Sequence, residues 1–316
     1  MKSFSGIILS AGFGTRLHPF TENCPKPLVP VLNKTPLWHQ IMLIWELGLK
    51  DIYVNLHFLA EVVKSYLKKN FDFVKYTYES EILGTGGGIK NIINSFKIEE
   101  PLIVLNGDTI SNINLEGMID FHIRNTSDAT MLLIEDRDIP DQNSVFIDKN
   151  YRIRYIKSQP KKPDMFKRCR FLGLHIINPS VFKYLPVNGC INQITYPSLI
   201  SKNYKVYGYL TRIESFDIGT PESLYRTNFM LKNSKITSPI FDKKYLKKYL
   251  DPNGNILGEN VKIVNSRVLN SIIGDNSIIV DSKISDSLIF SDSKIKDKIL
   301  KRCVANTKYK YIIPKS

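Results

Sequence analysis

Short runs of β-branched and aliphatic residues recur along the first 230 residues, and the stretches between them carry apolar residues at a helical period. Phe4–Leu9, Asp51–Asn55, Val74–Tyr78, Leu102–Leu105 and Ala129–Ile134 read as strands, and Leu37–Leu47, Ala60–Lys69, Gly88–Phe96 and Leu115–Arg124 as helices. This alternation predicts an α/β fold, a mostly parallel sheet with helices on both faces. Ligands on such sheets gather beyond the carboxyl ends of the strands, so the residues that follow each run are the candidates for function. Ser144–Ile147, Ile153–Ile156 and Phe171–Ile177 predict further strands over the same site, and Pro221–Leu231 a closing helix with proline in its first turn.

The texture changes at Asn255. Apolar residues at 273, 278, 284, 289 and 295, with small polar residues between them, repeat every five to six positions. That spacing is too short for helical repeats and fits the turns of a β-helix, with a chain of β-hairpins as the other reading. The expected plan is a sheet domain over 1–231, a linker over 232–254 with Pro239 and Pro252 around the Lys243–Lys248 cluster, a repeat extension over 255–300 and a basic tail over 301–316. So short an extension is expected to lean on the first domain or on another subunit, and hence to favour a homo-oligomer.

With 43% apolar and 23% charged residues among 316, the chain has material for one large or two modest cores. No apolar window is long enough to span a membrane, and the start lacks the pattern of a signal sequence, so the expected setting is cytoplasmic. Cys24, Cys169, Cys190 and Cys303 are far apart, as in reduced thiols rather than a zinc knuckle. Of the +14 net charge, residues 232–316 hold 15 Lys and 2 Arg against 8 acidic residues. The excess is mostly Lys without an aromatic-interleaved Arg stripe, which reads as a solvated surface and no nucleic-acid module. Docking of this tail on anionic lipid or acidic glycan is a further reading.

Ser10-Ala11-Gly12-Phe13-Gly14-Thr15-Arg16-Leu17 follows the first strand directly and offers free N–H groups to a phosphate. No Gly-Lys-Ser/Thr closes it, so it is not a P-loop. Pro19, Pro25, Pro27 and Pro30 forbid a helix straight after it, which argues against a dinucleotide fingerprint and predicts a long extended loop over 13–35. Arg16 and Lys26, a planar fork and a point charge, both suit phosphate oxygens.

Gly12-Phe13-Gly14-Thr15-Arg16-Leu17-His18-Pro19-Phe20-Thr21, followed by Pro25-Lys26-Pro27-Leu28-Val29-Pro30-Val31, resembles the signature of the sugar-1-phosphate nucleotidylyltransferases, the NDP-sugar pyrophosphorylases. Mannose-1-phosphate guanylyltransferase-like and N-acetylmuramate-1-phosphate uridylyltransferase-like members are both candidates. The resemblance implies a Rossmann-like catalytic domain and, more loosely, a left-handed β-helix-like extension. It further implies that Leu9, Ala11, Gly12, Gly14, Thr15 and Gly107 bind the nucleotide, that Arg16 and the Gly12–Thr15 amides hold its β- and γ-phosphates, and that Lys26 stabilises charge at the reacting oxygens.

Asn106-Gly107-Asp108 ends a buried run, and Phe216-Asp217-Ile218-Gly219-Thr220-Pro221 precedes a helix. The resemblance assigns Asp108 and Asp217 to Mg²⁺, with Asp217 also on the substrate side; Asp217 as a helix N-cap is the structural alternative. Glu79-Ser80-Glu81-Ile82-Leu83-Gly84-Thr85-Gly86-Gly87-Gly88 resembles the nucleobase segment, with backbone groups near Gly84 and Thr85. A carboxylate at Glu79 matches the adjacent N1–H and N2–H of guanine, whereas the Leu-Gly-Thr-Gly-Gly-Gly form resembles uridylyl-transferring members, so GTP and UTP both stand. Gly173, in Phe171-Leu172-Gly173-Leu174, resembles the strand glycine that lets the sugar approach. Ile156-Lys157-Ser158-Gln159-Pro160 departs from the Glu-Lys-Pro of many relatives, leaving Lys157 either as its substitute or on the surface.

The expected reaction is attack by a sugar 1-phosphate oxygen on the α-phosphorus of an NTP, with release of pyrophosphate. None of His18, His39, His57, His122 or His175 belongs to a nucleophile triad or an HExxH motif. A non-catalytic regulatory or assembly subunit that binds nucleotide sugars on the same fold is the alternative.

Overall fold

Gly6-Ile7-Ile8 is too short and too apolar to be anything but a buried strand, and in the computed structural model it forms the middle of a sheet. The structure describes residues 4–111, 113–158, 160, 162–212, 215–233 and 248–314. These form two compact units, residues 1–12 with 40–215 and residues 13–39 with 216–316. The division falls within the segment expected to be one sheet domain. The proposed linker overlaps residues 234–247, which lie outside the described residues.

In the first unit the strands are β1 (Ser5–Leu9), β2 (Ile52–Leu56), β3 (Lys75–Tyr78), β4 (Leu102–Asn106), β5 (Thr109–Ser111), β6 (Ala129–Glu135), β7 (Ser144–Ile147), β8 (Ile153–Ile156), β9 (Lys167–Ile177) and β10 (Val206–Thr211). All but β5 belong to one sheet, whose main order is β10-β6-β9-β4-β1-β2-β3, with β7 and β8 attached through β9. β1 runs parallel to β2 and β4, β2 to β3, and β6 to β10. The core is aliphatic, with Ile7, Val104, Met131, Ile89, Ile92 and Val206 inaccessible to solvent.

Two expectations change here. Phe171–Ile177 is part of a longer strand that belongs to the main sheet itself; β9 inserts antiparallel between β4 and β6, with its run Leu172–Ile177 buried. The helix expected over Gly88–Phe96 starts four residues earlier, at Gly84. Helices α1 (Pro36–Trp45), α2 (Ala60–Asn70), α3 (Gly84–Phe96) and α4 (Leu115–Arg124) follow the predicted periodicity, and α5 (Pro179–Phe182) and α6 (Thr195–Ser201) are short additions.

The second unit contains the proline-rich segment, β11 (Ser215–Asp217, of which Phe216 and Asp217 lie in this unit), α7 (Pro221–Asn233) and a coil of short strands. β12 (Ile256–Leu257), β13 (Lys262–Val264), β14 (Arg267–Leu269), β15 (Ile272–Ile273), β16 (Ile278–Val280), β17 (Lys283–Ser285), β18 (Leu288–Ile289), β19 (Lys294–Lys296), β20 (Ile299–Lys301) and β21 (Cys303–Ala305) stack in parallel on three faces. Each coil advances sixteen residues, pairing Ile256 with Ile272 and Ile272 with Leu288. The repeat therefore continues past residue 300 into the expected basic tail, and β22 (Lys310–Ile312) closes it by pairing antiparallel with β21.

The corners explain the small polar residues. Asn260, Asn265, Asn270, Asn276, Asp281, Asp286, Asp292 and Asp297 all have positive φ, a region their short side chains tolerate. Asn265 Nδ2 donates to Asp281 and Asn270 Nδ2 to Asp286, each at 2.6 Å, from one coil to the next. The serines that follow turn inward; Ser266, Ser271 and Ser282 Oγ accept the N–H of Ser282, Ser287 and Lys298. The inward apolar residue is Ile279 rather than Ile278, because the extra residue of each sixteen lies in that corner. Ile256, Ile272, Leu288 and Val304 face outward yet are inaccessible, on the face where Tyr225 of α7 donates to the Asp286 carbonyl at 2.9 Å.

The proline-rich segment is pinned within this second unit. Asn228 of α7 accepts from Leu32 N–H at 2.8 Å and donates to the Pro30 carbonyl at 3.3 Å. Asn33 donates to the Ile273 carbonyl at 3.0 Å, and Phe20 stacks on Phe290 at 5.2 Å. The segment is not extended throughout, since Thr15–Leu17 and Lys26–Leu28 form single 3₁₀ turns. A proline at the start of such a turn loses no hydrogen bond. Among the described residues, no helix is long and apolar enough to cross a membrane.

Candidate active site

β1 ends at Leu9, and its neighbour β4 ends at Asn106, so the turns that follow them lie side by side. Gly107 N–H donates to the Leu9 carbonyl at 2.8 Å. A Cβ on Gly107 would come within 2.4 Å of Ser10 Oγ and 2.8 Å of the Leu9 carbonyl, so only glycine lets the Asn-Gly-Asp turn lie flat against the first loop. Asp108 is half-buried at the end of that turn. Ala11 is buried and Gly12 exposed, and a Cβ on Gly12 would meet no atom within 4 Å.

On the other side of β4, Gly173 of β9 has φ +78°, and a Cβ there would fall 2.5 Å from Asn106 Nδ2. Gly173 therefore closes directly on the strand end that carries Asp108. Lys157 is exposed, and Gln159 of the same departure lies outside the described residues.

The segment after β3 is organised by burial. Glu79 is 2% exposed; its Oε1 accepts from Asn55 Nδ2 at 2.7 Å and its Oε2 from Leu83 N–H at 3.1 Å. Gly84, with φ +71°, opens α3. The glycine cluster is a packing device: a Cβ on Gly84 would meet the Gly189 backbone at 2.8 Å, one on Gly86 Pro186 at 2.8 Å, and one on Gly87 the Val187 carbonyl at 2.6 Å. Thr85 Oγ1 accepts from Ile191 N–H at 3.1 Å, and Gly86 N–H donates to the Gly189 carbonyl at 2.8 Å.

In the second unit Gly14, Thr15, Arg16 and Lys26 form one piece. Gly14 has φ +67°, its carbonyl accepts from Thr21 Oγ1 at 3.1 Å, and a Cβ there would touch Lys26 Cβ at 3.0 Å. Thr15 and Arg16 are exposed, whereas Lys26 is 8% exposed. Asp217 ends β11, and its side chain lies outside what the structure describes. Among the described residues, no group of three or more His, Cys, Asp or Glu could hold a metal.

Three histidines make internal hydrogen bonds. His122 bonds Thr130 at 2.8 Å, His57 Nδ1 meets the Glu79 carbonyl at 2.8 Å, and burial holds His175, bonded to Tyr196, down at about 3. All four cysteines are free, and burial pushes Cys24 and Cys169 up to about 12. Motif reading gave no role to Asn55, Asn228 or, within its Asn-Gly-Asp motif, Asn106. Asn55 had a signal, as the polar residue in the apolar strand Ile52-Tyr53-Val54-Asn55-Leu56, all of it buried.

Residues 5–234 match the nucleotidyl transferase family. A mannose-1-phosphate guanyltransferase of Emericella nidulans is 31% identical over 248 residues, covering 74% of this chain and 67% of that protein. Two solved structures share the fold. A putative glucose-1-phosphate thymidylyltransferase from Bacillus anthracis superposes with a TM-score of 0.62 at 22% identity, covering 74% of this chain and 98% of its own. HddC from Yersinia pseudotuberculosis, complexed with GMP-PN, gives 0.59 at 24% identity over 72% of this chain and 98% of its own. With that match running over residues 5–234, the chain belongs to the nucleotidyl transferase family.

Proposed function

We propose that this protein transfers a nucleotidyl group from GTP or UTP to a sugar 1-phosphate, releasing pyrophosphate and forming an NDP-sugar. The observation that carries the reading is the Gly107–Leu9 contact, which fixes the Asp108 turn beside the start of the glycine-rich loop at the carboxyl ends of adjacent parallel strands. A phosphate oxygen of the sugar 1-phosphate attacks the α-phosphorus in line; a new P–O bond forms there and the bond to the β-phosphate oxygen breaks. Both reactants are anions, so catalysis consists of alignment and charge neutralisation, and no protein nucleophile is required.

The roles follow the motifs. Gly12–Thr15 amides and Arg16 hold the β- and γ-phosphates, Leu9, Ala11 and Gly107 shape the nucleotide side, and Lys26 neutralises charge on the reacting oxygens. Backbone groups of Leu83–Thr85 meet the base, and Gly173 admits the sugar. Asp108 and Asp217 would hold Mg²⁺. Hard carboxylate oxygens in small number suit this ion, which would supply positive charge beside the phosphates. The names of the matched relatives make GTP with mannose 1-phosphate the first pair to test.

The experiment is incubation with Mg²⁺, each NTP and a panel of sugar 1-phosphates, following pyrophosphate and identifying the product by mass. Pyrophosphate release with one pair is expected. No release across the whole panel would sink the reading.

A further inference from the structure

The two substrate-facing turns of the first unit are tied together by a side chain that no motif names. Asn55 sits near the end of β2, 3% exposed, and works in both directions. Its Oδ1 accepts from Ser10 N–H at 2.8 Å, at the start of the first loop. Its Nδ2 donates to Glu79 Oε1 at 2.7 Å, and Glu79 Oε2 accepts from Leu83 N–H at 3.1 Å, just ahead of α3. The Glu79 backbone is held as well, by Leu56 at 2.8 Å and His57 at 2.8 Å. α3 makes room for the pair: a Cβ on Gly88 would lie 2.7 Å from Asn55 Nδ2 and 2.9 Å from Glu79 Oε1.

We propose that Asn55 and Glu79 are positioning residues for nucleotidyl transfer, setting the Ser10–Gly12 turn, which meets the NTP phosphates, in register with Leu83–Thr85, which meets the base. The proposal rests on the function argued above. Both Glu79 oxygens are engaged inside the protein, so Glu79 acts on the nucleotide through Leu83 and not by taking the base edge itself. Every donor in the relay faces an acceptor, and this order can be exchanged as a unit. Asn55→Asp alone sets two carboxyl groups against each other. Glu79→Gln alone offers one oxygen to two donors and turns an amide N–H₂ on a donor. The double variant N55D/E79Q restores the match, since the position-55 carboxylate accepts from both Ser10 and the position-79 amide, whose oxygen accepts from Leu83.

The test measures initial rates together with amide exchange by mass spectrometry over residues 8–13 and 80–86, on wild type, both single variants and the exchange variant. Each single variant is expected to raise KM for the NTP about tenfold while leaving KM for the sugar 1-phosphate within about twofold, and to speed exchange in both segments. The exchange variant is expected to return both readouts to near wild type, which a merely structural loss would not do. Single variants that match wild type, or an exchange variant no better than the worse single one, overturn the proposal. A wild type that turns over no substrate pair overturns the transfer reading and the positioning role with it, whereas failure of the rescue in an active enzyme overturns the positioning role alone.

Discussion

Lys26 and Asp108 carry the two signs of charge on which the proposed chemistry depends, one 8% exposed on a 3₁₀ turn and one half-buried after β4. Lys26→Ala and Asp108→Asn are each expected to lower kcat about a hundredfold, equivalent to about 3 kcal/mol of transition-state stabilisation, as read by pyrophosphate release. Gly173 tests the backbone instead. With φ +78° and Asn106 Nδ2 only 2.5 Å from a would-be Cβ, Gly173→Ala should cost about 2 kcal/mol or more of stability in urea titrations, since strain and overpacking add. Motif order picked out Lys26, Asp108 and Gly173 as candidates in the sequence. It could not reveal that Gly84, Gly86 and Gly87 are small because Pro186–Gly189 lies on them, since that contact joins residues a hundred positions apart.

At the scale of elements, the strands of the sheet were readable because an apolar run of five or six residues has no other way to satisfy its backbone in a core. The start of α3 was not readable. Glycine is a poor helix former, and only the close approach of the 186–189 loop compensates for three of them in the first turn. The coil was recognised by spacing, and of the marked positions Ile273, Ile284, Ile289 and Ile295 do turn inward; Ile278 alone was one residue out, because Ile278-Ile279-Val280 gives no sign of which side chain turns in. The better signal was the series Asn265-Ser266, Asn270-Ser271, Asn276-Ser277, Asp281-Ser282, Asp286-Ser287 and Asp292-Ser293, in which a corner residue precedes an inward serine. Ile279→Ala should therefore destabilise by about 3 kcal/mol and Ile278→Ala by less than about 1 kcal/mol in urea unfolding. Asn228→Ala, which strands the buried Leu32 N–H and the Pro30 carbonyl, should cost about 2 kcal/mol by the same assay.

For the whole molecule, stability should depend on pH through the buried histidines. Burial holds His175 and His39 at about 3, well below the ordinary value of 6.5. The unfolded chain therefore binds more protons than the folded one below that value, so stability is intact above about pH 6.5 and declines as pH falls toward 3. His175→Gln, which retains a polar partner for Tyr196, should remove about one proton from this dependence, or about 1.4 kcal/mol per pH unit, in urea titrations at pH 7, 5 and 4. By itself the sequence determined the α/β sheet and the coil after residue 255, because apolar period and the spacing of a repeat are local properties. Only the tertiary structure decided that β9 inserts antiparallel beside β4, that Asn228 ties the proline-rich segment to α7, and that Asn55 joins Ser10 to Glu79. Each of these is a pairing of buried polar groups or strand edges distant in the chain, and the need to satisfy such groups shows only once the core has closed over them.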